Sequence, residues 1–108
     1  MTIFMVEKYT IKPDKLGEFN TVYKKFEAFL KKRKALFKEV KSHKMFSRLI
    51  GGHWGEYVEM TEVENFADFE KLMSRVMQDK EYLTKIYPEM MALIVPGTHS
   101  LEVWNSFP

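Results

Sequence analysis

The 108-residue chain has no cysteine. That absence excludes disulfides, thiolate metal sites and a cysteine nucleophile in one step, and leaves the redox compartment open. Long apolar runs are absent too: none approaches the roughly 18 residues needed to span a bilayer. The N-terminal residues read as a strand, with no basic n-region or cleavage site, so a cytoplasmic location without a membrane partner is the expectation. An excess of one charge is also missing. Seventeen Lys and Arg against 15 Asp and Glu leave a formal charge of +2, which makes no global case for nucleic acid. Gln78 is the only glutamine and asparagine is scarce, against many Lys and Glu, a bias found in heat-adapted proteins. There is no Gly-rich phosphate loop, no His/Asp/Glu cluster at metal spacing and no Ser/His/Asp arrangement. Neither a metal nor a cofactor is expected.

What is present describes a packed domain: 45% apolar and 30% charged residues, with 15% aromatic, on a length that suits one core and is too short for two. Residues 2–11 are rich in β-branched and aromatic types on both parities, as in a strand covered on both faces. Pro13 and Asp14 break that strand and start a helix. Leu16, Phe19, Tyr23, Phe26 and Leu30 then recur at spacings of three and four, predicting an amphipathic helix over about 14–37. Residues 40–50 read as a second strand and Gly51, Gly52 and Gly55 as a hairpin turn. Residues 56–63 form the returning strand. Asn65 caps a second helix through an Asn-x-x-Asp pattern. Asp79 restarts the helix, Pro88 kinks or ends it, and residues 98–107 make a last strand.

The order β-α-β-β-α-β implies an α+β, ferredoxin-like domain over residues 1–108, with a four-stranded antiparallel sheet and two helices on one face. The chain is too short to supply a third layer. Strands apolar on both parities would then leave a patch larger than the few hundred Å² monomers usually tolerate. A second copy packed sheet on sheet by two-fold symmetry is the expected cover, making the partner a homodimer or a higher oligomer.

The same signals resemble the dimeric α/β-barrel superfamily, and within it NIPSNAP-like and antibiotic-biosynthesis-monooxygenase-like small proteins. The resemblance rests on Tyr9-Thr10-Ile11-Lys12-Pro13-Asp14, Glu18-Phe19, the Gly-rich hairpin, Glu62 to Phe69, Gln78 to Tyr82, and Val95-Pro96-Gly97. It implies the dimeric barrel, and relatives that include cofactor-free oxygenases, haem-degrading enzymes and isomerases. The haem-degrading branch implies an Asn on the first strand, a Trp near the end of the third and a His on the second helix. Here Glu7 and Thr61 stand near the first two places, and no His lies between Asn65 and Leu93, so haem degradation is not carried over.

Candidate chemistry rests on polar groups among apolar strand neighbours. Glu7 shares a parity with Met5 and Tyr9, and Glu59 lies on the strand expected beside it. If both point into a dimer-side cavity, desolvation and mutual repulsion would make one a general acid or base; the plain alternative pairs them with Arg48 or Lys8 as structural charges. His53 and Trp54 sit in the hairpin turn, where a loop could present both to a ligand, or where the Trp simply anchors a surface turn. His43 and His99 read as edge or end residues, and three scattered histidines make no metal motif. Met73, Met77, Met90 and Met91 suit either core filling or an adaptable pocket with Tyr82, Tyr87 and Trp104. Lys31-Lys32-Arg33-Lys34 reads as a solvated helix C-terminus more readily than a phosphate or nucleic-acid site.

The leading reading is a small-molecule-binding protein, a cofactor-free oxygenase or isomerase acting on an apolar or aromatic compound in a pocket between the sheet and the second helix. Its catalytic candidates are Glu7, Glu59 and His53, and its walls Tyr9, Trp54 and Trp104. The alternative is a non-catalytic structural or interaction homodimer.

Overall fold

The computed structural model describes residues 2–52 and 54–107. Four strands, β1 (Ile3–Thr10), β2 (Ser42–Ser47), β3 (Glu56–Val63) and β4 (Ser100–Asn105), form one antiparallel sheet in the order β2-β3-β1-β4. The two central strands are therefore β1 and β3. Helix α1 (Leu16–Lys32) joins β1 to β2, and α2 (Phe66–Val76) leads from β3 toward β4 through a π-helical turn (Tyr82–Ile86) and the short α3 (Tyr87–Met91).

Alternation along β1 sends Ile3, Met5, Glu7 and Tyr9 to one face. Ile3 and Met5 pack with Phe29, Val63, Leu72 and Val76 in one buried cluster. Tyr9 and Ile11 pack with Phe19, Leu93 and Ile94 in a second. Glu7 falls in the gap between the two. The break in β1's apolar row is thus the first mark of a site.

Several boundaries move from the sequence expectation, each for a local reason. A 3-10 turn over Pro13–Lys15 precedes α1, which stops at Lys32 instead of reaching residue 37. Arg33 leaves the helical region, and tight turns through residues 33–40 carry Leu36 and Phe37 back onto the first cluster. Phe29, off the expected stripe, is core, while Phe26 and Leu30 line a cavity. The outer strands β2 and β4 are shorter than residues 40–50 and 98–107. Asn65 caps α2 as expected, its Oδ1 accepting from the Asp68 N–H at 2.9 Å. The helical segment after Asp79 widens into the π turn, in which the Tyr87 N–H bonds the Tyr82 carbonyl. Pro88, lacking an N–H, follows at the start of α3, where none is needed.

On the other face of the sheet, Phe46 and Trp104 remain 47% and 43% exposed. No helix contributes to a buried apolar cluster there among the described residues.

Candidate functional site

Glu7 and Glu59 are direct cross-strand partners of β1 and β3. Residues so opposed share a face with Cβ atoms about 4.5–5.5 Å apart, and like charges there repel. Each carboxylate has its own imidazole partner. Glu59 is 6% exposed; its Oε2 accepts a 2.6 Å hydrogen bond from the Tyr9 hydroxyl, and its Oε1 lies 2.9 Å from His43 Nε2. Glu7 Oε2 lies 2.9 Å from His99 Nε2.

The sheet explains why these four meet. On β2, Met45 pairs with Glu59, so His43 stands two residues along on the same face. On β4, Leu101 pairs with Glu7, so His99, just before the strand, occupies the matching place on the other side. His43, Glu59, Glu7 and His99 therefore run as a diagonal row across the sheet, His43 displaced toward Met5 and His99 toward Tyr9. With both imidazoles protonated the row is neutral; each proton lost leaves one negative charge uncompensated beside an apolar cavity.

Glu7 holds His99 above the usual imidazole range through its hydrogen bond, against the opposing effect of partial burial. Burial pushes the Tyr9 hydroxyl far up, reinforced by the charge and hydrogen bond of Glu59. Burial likewise raises Tyr82, with Glu7 and Glu59 adding to it, and Tyr23, with Glu59 and Glu27 adding. All three stay as phenols at neutral pH, and Tyr9 donates to Glu59. Aromatic packing fixes the imidazoles: His43 lies between Tyr23 and Phe26 at centroid distances of 6.4 and 5.9 Å, and His99 lies 6.3 Å from Tyr9. Where Nε2 donates its proton to the carboxylate, Nδ1 carries the free lone pair and is the basic atom.

Above this row is a cavity of about 580 Å³, within the range of sites for drug-sized molecules. Glu7, Glu59, His43 and His99 line its polar end, while Phe26, Leu30, Phe37, Leu72, Met73 and Val76 supply apolar walls. A side chamber of about 50 Å³ adjoins the carboxylates, bounded by Tyr9, Tyr82, Ile86 and Met90. No group of three or more His, Asp or Glu among the described residues is placed to hold a metal ion.

Of the residues singled out in the sequence, Glu7, Glu59 and Tyr9 come together. They face the helices rather than the opposite face of the sheet. Their partners are His99, His43 and each other's neighbours, not Arg48 or Lys8, which bind Glu56 and Glu102. Trp54 is 95% exposed and outside the cavity. Trp104 pairs with Phe4 on the far face of the sheet, its Nε1 donating to Glu102 at 2.9 Å and its ring 5.4 Å from Lys8 Nζ. Neither tryptophan forms a wall. His53 lies outside the described residues. His43 and His99, read as strand-end residues, belong to the site, and so does Tyr82. The signal that could have found them is parity, since His43 and Met45 share a face, but it becomes usable only once the register is known.

No family model matches the chain, and no curated protein matches it in sequence. Its backbone does match solved structures. A NIPSNAP family protein from Agrobacterium tumefaciens superposes with a TM-score of 0.76 at 13% identity, covering 99% of this chain and 94% of that one. An antibiotic biosynthesis monooxygenase gives 0.69 at 14% identity, covering 98% and 99%. A variant of SnoaB, a cofactor-independent oxygenase from Streptomyces nogalater, gives 0.68 at 14% identity, covering 97% and 92%. The chain has the ferredoxin-like fold of the NIPSNAP and antibiotic-biosynthesis-monooxygenase proteins. At these identities the likeness is one of fold. It extends over nearly the whole of each chain, so the sheet and the helices that enclose the cavity are common architecture.

Proposed function

We propose that the protein binds an apolar or aromatic small molecule in the helix-side cavity and removes a proton from it, working as a cofactor-free isomerase or oxygenase. The observation that carries this reading is the pair of His–Glu contacts on the floor of an otherwise apolar chamber. A carboxylate that orients an imidazole also stabilises the imidazolium formed when that imidazole accepts a proton. His43 with Glu59 and His99 with Glu7 are two such couples on facing sides of one space. One takes the proton from an acidic C–H or O–H. The substrate anion then either regains a proton at another carbon from the second couple, which is isomerisation, or gives electrons to dissolved O₂, which is oxygenation. The Tyr82 phenol, which lines the cavity, supplies a hydrogen bond that favours developing negative charge, while the Tyr9 hydroxyl stays committed to Glu59. The fold shared with a cofactor-independent oxygenase agrees with this assignment.

The working unit we propose is a homodimer, in which a second copy covers the face bearing Phe46 and Trp104. Native mass spectrometry tests binding and assembly together. The expected result is a dimer that carries a co-purified apolar compound or takes up aromatic ketones in stoichiometric amount. An empty monomer that takes up none of them contradicts the reading.

A further inference from the structure

The cavity has a second polar end, which proton transfer does not use. Six of the chain's 17 Lys and Arg fall within residues 31–41, where Glu39 is the only carboxylate. Two of the six are neutralised, Arg33 by Asp79 and Glu81 and Lys41 by Glu64, while Glu39 itself is taken by Arg75. Lys31, Lys34 and Lys38 all line the large cavity, and none makes a salt bridge within the described residues. They stand on successive turns where α1 runs out into the tight turns after Lys32. The C-terminal dipole of α1 accounts for cations near Lys31 and Lys32. It does not reach Lys38, and it does not explain why three of the four lysines without a salt bridge in this segment line the cavity while the paired Arg33 and Lys41 do not.

Leu30, Phe37, Met73 and Met77 line the same cavity as these lysines and the His–Glu row. A neutral hydrocarbon would match the middle of this space and neither end. We infer that Lys31, Lys34 and Lys38 form an anion-binding rim, and that the ligand is an amphiphile whose carboxylate lies at this rim while its apolar body reaches the His–Glu floor. This rests on the cavity being the binding site, and it narrows the substrate class from apolar compounds to apolar carboxylates. Lysine suits the task as a mobile point charge on a long apolar stem, able to follow carboxylates at somewhat different depths.

The test compares decanoate with decanol, two probes of equal chain length and different head group, by NMR of methyl-labelled methionine. Met5, Met73 and Met77 line the cavity, whereas Met60, paired with Val6, lies on the opposite parity of β3 and serves as control. Exposed ion pairs contribute little singly, and three acting on one head group correspond to about a tenfold preference. Decanoate is expected to shift the cavity methionines with about tenfold higher affinity than decanol, a preference that shrinks with added salt. In the K31Q/K34Q/K38Q variant the two affinities converge while decanol binds as before. Equal affinities in the unaltered protein, or an equal loss of both probes in the variant, would overturn the anion-binding rim and leave the cavity as an apolar site. Absence of any shift with either probe would overturn the rim and the proposed function together.

Discussion

At the scale of single residues, the site is a solution to a like-charge problem. Two carboxylates forced opposite each other by register are kept compatible by imidazoles at both ends of the row and by one buried phenol. The consequence for pH follows from His99. Its folded pKa is raised by Glu7, so the contact contributes stability that is fully present below the unfolded histidine value of about 6.5 and is lost as pH rises through the folded value. An NMR titration of the imidazoles should place His99 above the ordinary value in the native protein and return it toward that value in Glu7→Gln. Thermal melts should lose this portion of their decline above pH 6.5 in the same variant. A His99 titration unchanged by Glu7→Gln would mean that the contact does not form. Glu7 and Glu59 were legible in the sequence because charged residues interrupt apolar strand rows. Their histidines were not, because they sit at the starts of outer strands, and a one-residue slip of register would send each to the other face.

At the scale of elements, most of the order was legible because each boundary has a strong local cause. Asn65 meets the chemistry of a cap, and Gly51, Gly52 and Gly55 all adopt positive φ in the hairpin turn. Gly55 has an additional role. Its carbonyl accepts from the Ile11 N–H at 2.8 Å, its φ is +77°, and a Cβ there would lie 3.0 Å from the Ile11 carbonyl oxygen. Gly55→Ala should therefore destabilise the fold by more than about 1 kcal/mol, in denaturant melts followed by circular dichroism. Gly51→Ala, equally left-handed but with open space around its Cβ, should cost about 1 kcal/mol at most. Equal losses at the two positions would mean that the Ile11 contact adds nothing. The end of α1 was the least legible boundary. Its Lys-rich sequence favours helix, and only the need to bury Leu36 and Phe37 in three dimensions turns the chain away.

At the scale of the whole molecule, the two faces of the sheet divide the labour. The helix-side face holds both apolar clusters and, between them, the cavity. The opposite face carries Phe46 and Trp104 half-exposed. Composition pointed to two covered faces without indicating which one would hold the carboxylates; Glu7 and Glu59, weighed for a dimer-side cavity, lie on the helix side, in the pocket expected between the sheet and the second helix. The tryptophans drew attention as ligand walls because large aromatics commonly line pockets. Position on the sheet overrides that tendency, since Trp104 faces away from the cavity on an outer strand.

Proton transfer by the His–Glu row to and from a molecule held in the cavity is the activity proposed. It can be tested without the physiological substrate by following exchange of the acidic α-protons of 2-tetralone in D₂O by NMR. The unaltered protein should accelerate exchange by about 10²-fold or more over buffer at equal pD, and the folded Glu7→Gln/Glu59→Gln double variant should lose that acceleration. Equal rates in the two proteins would contradict the claim.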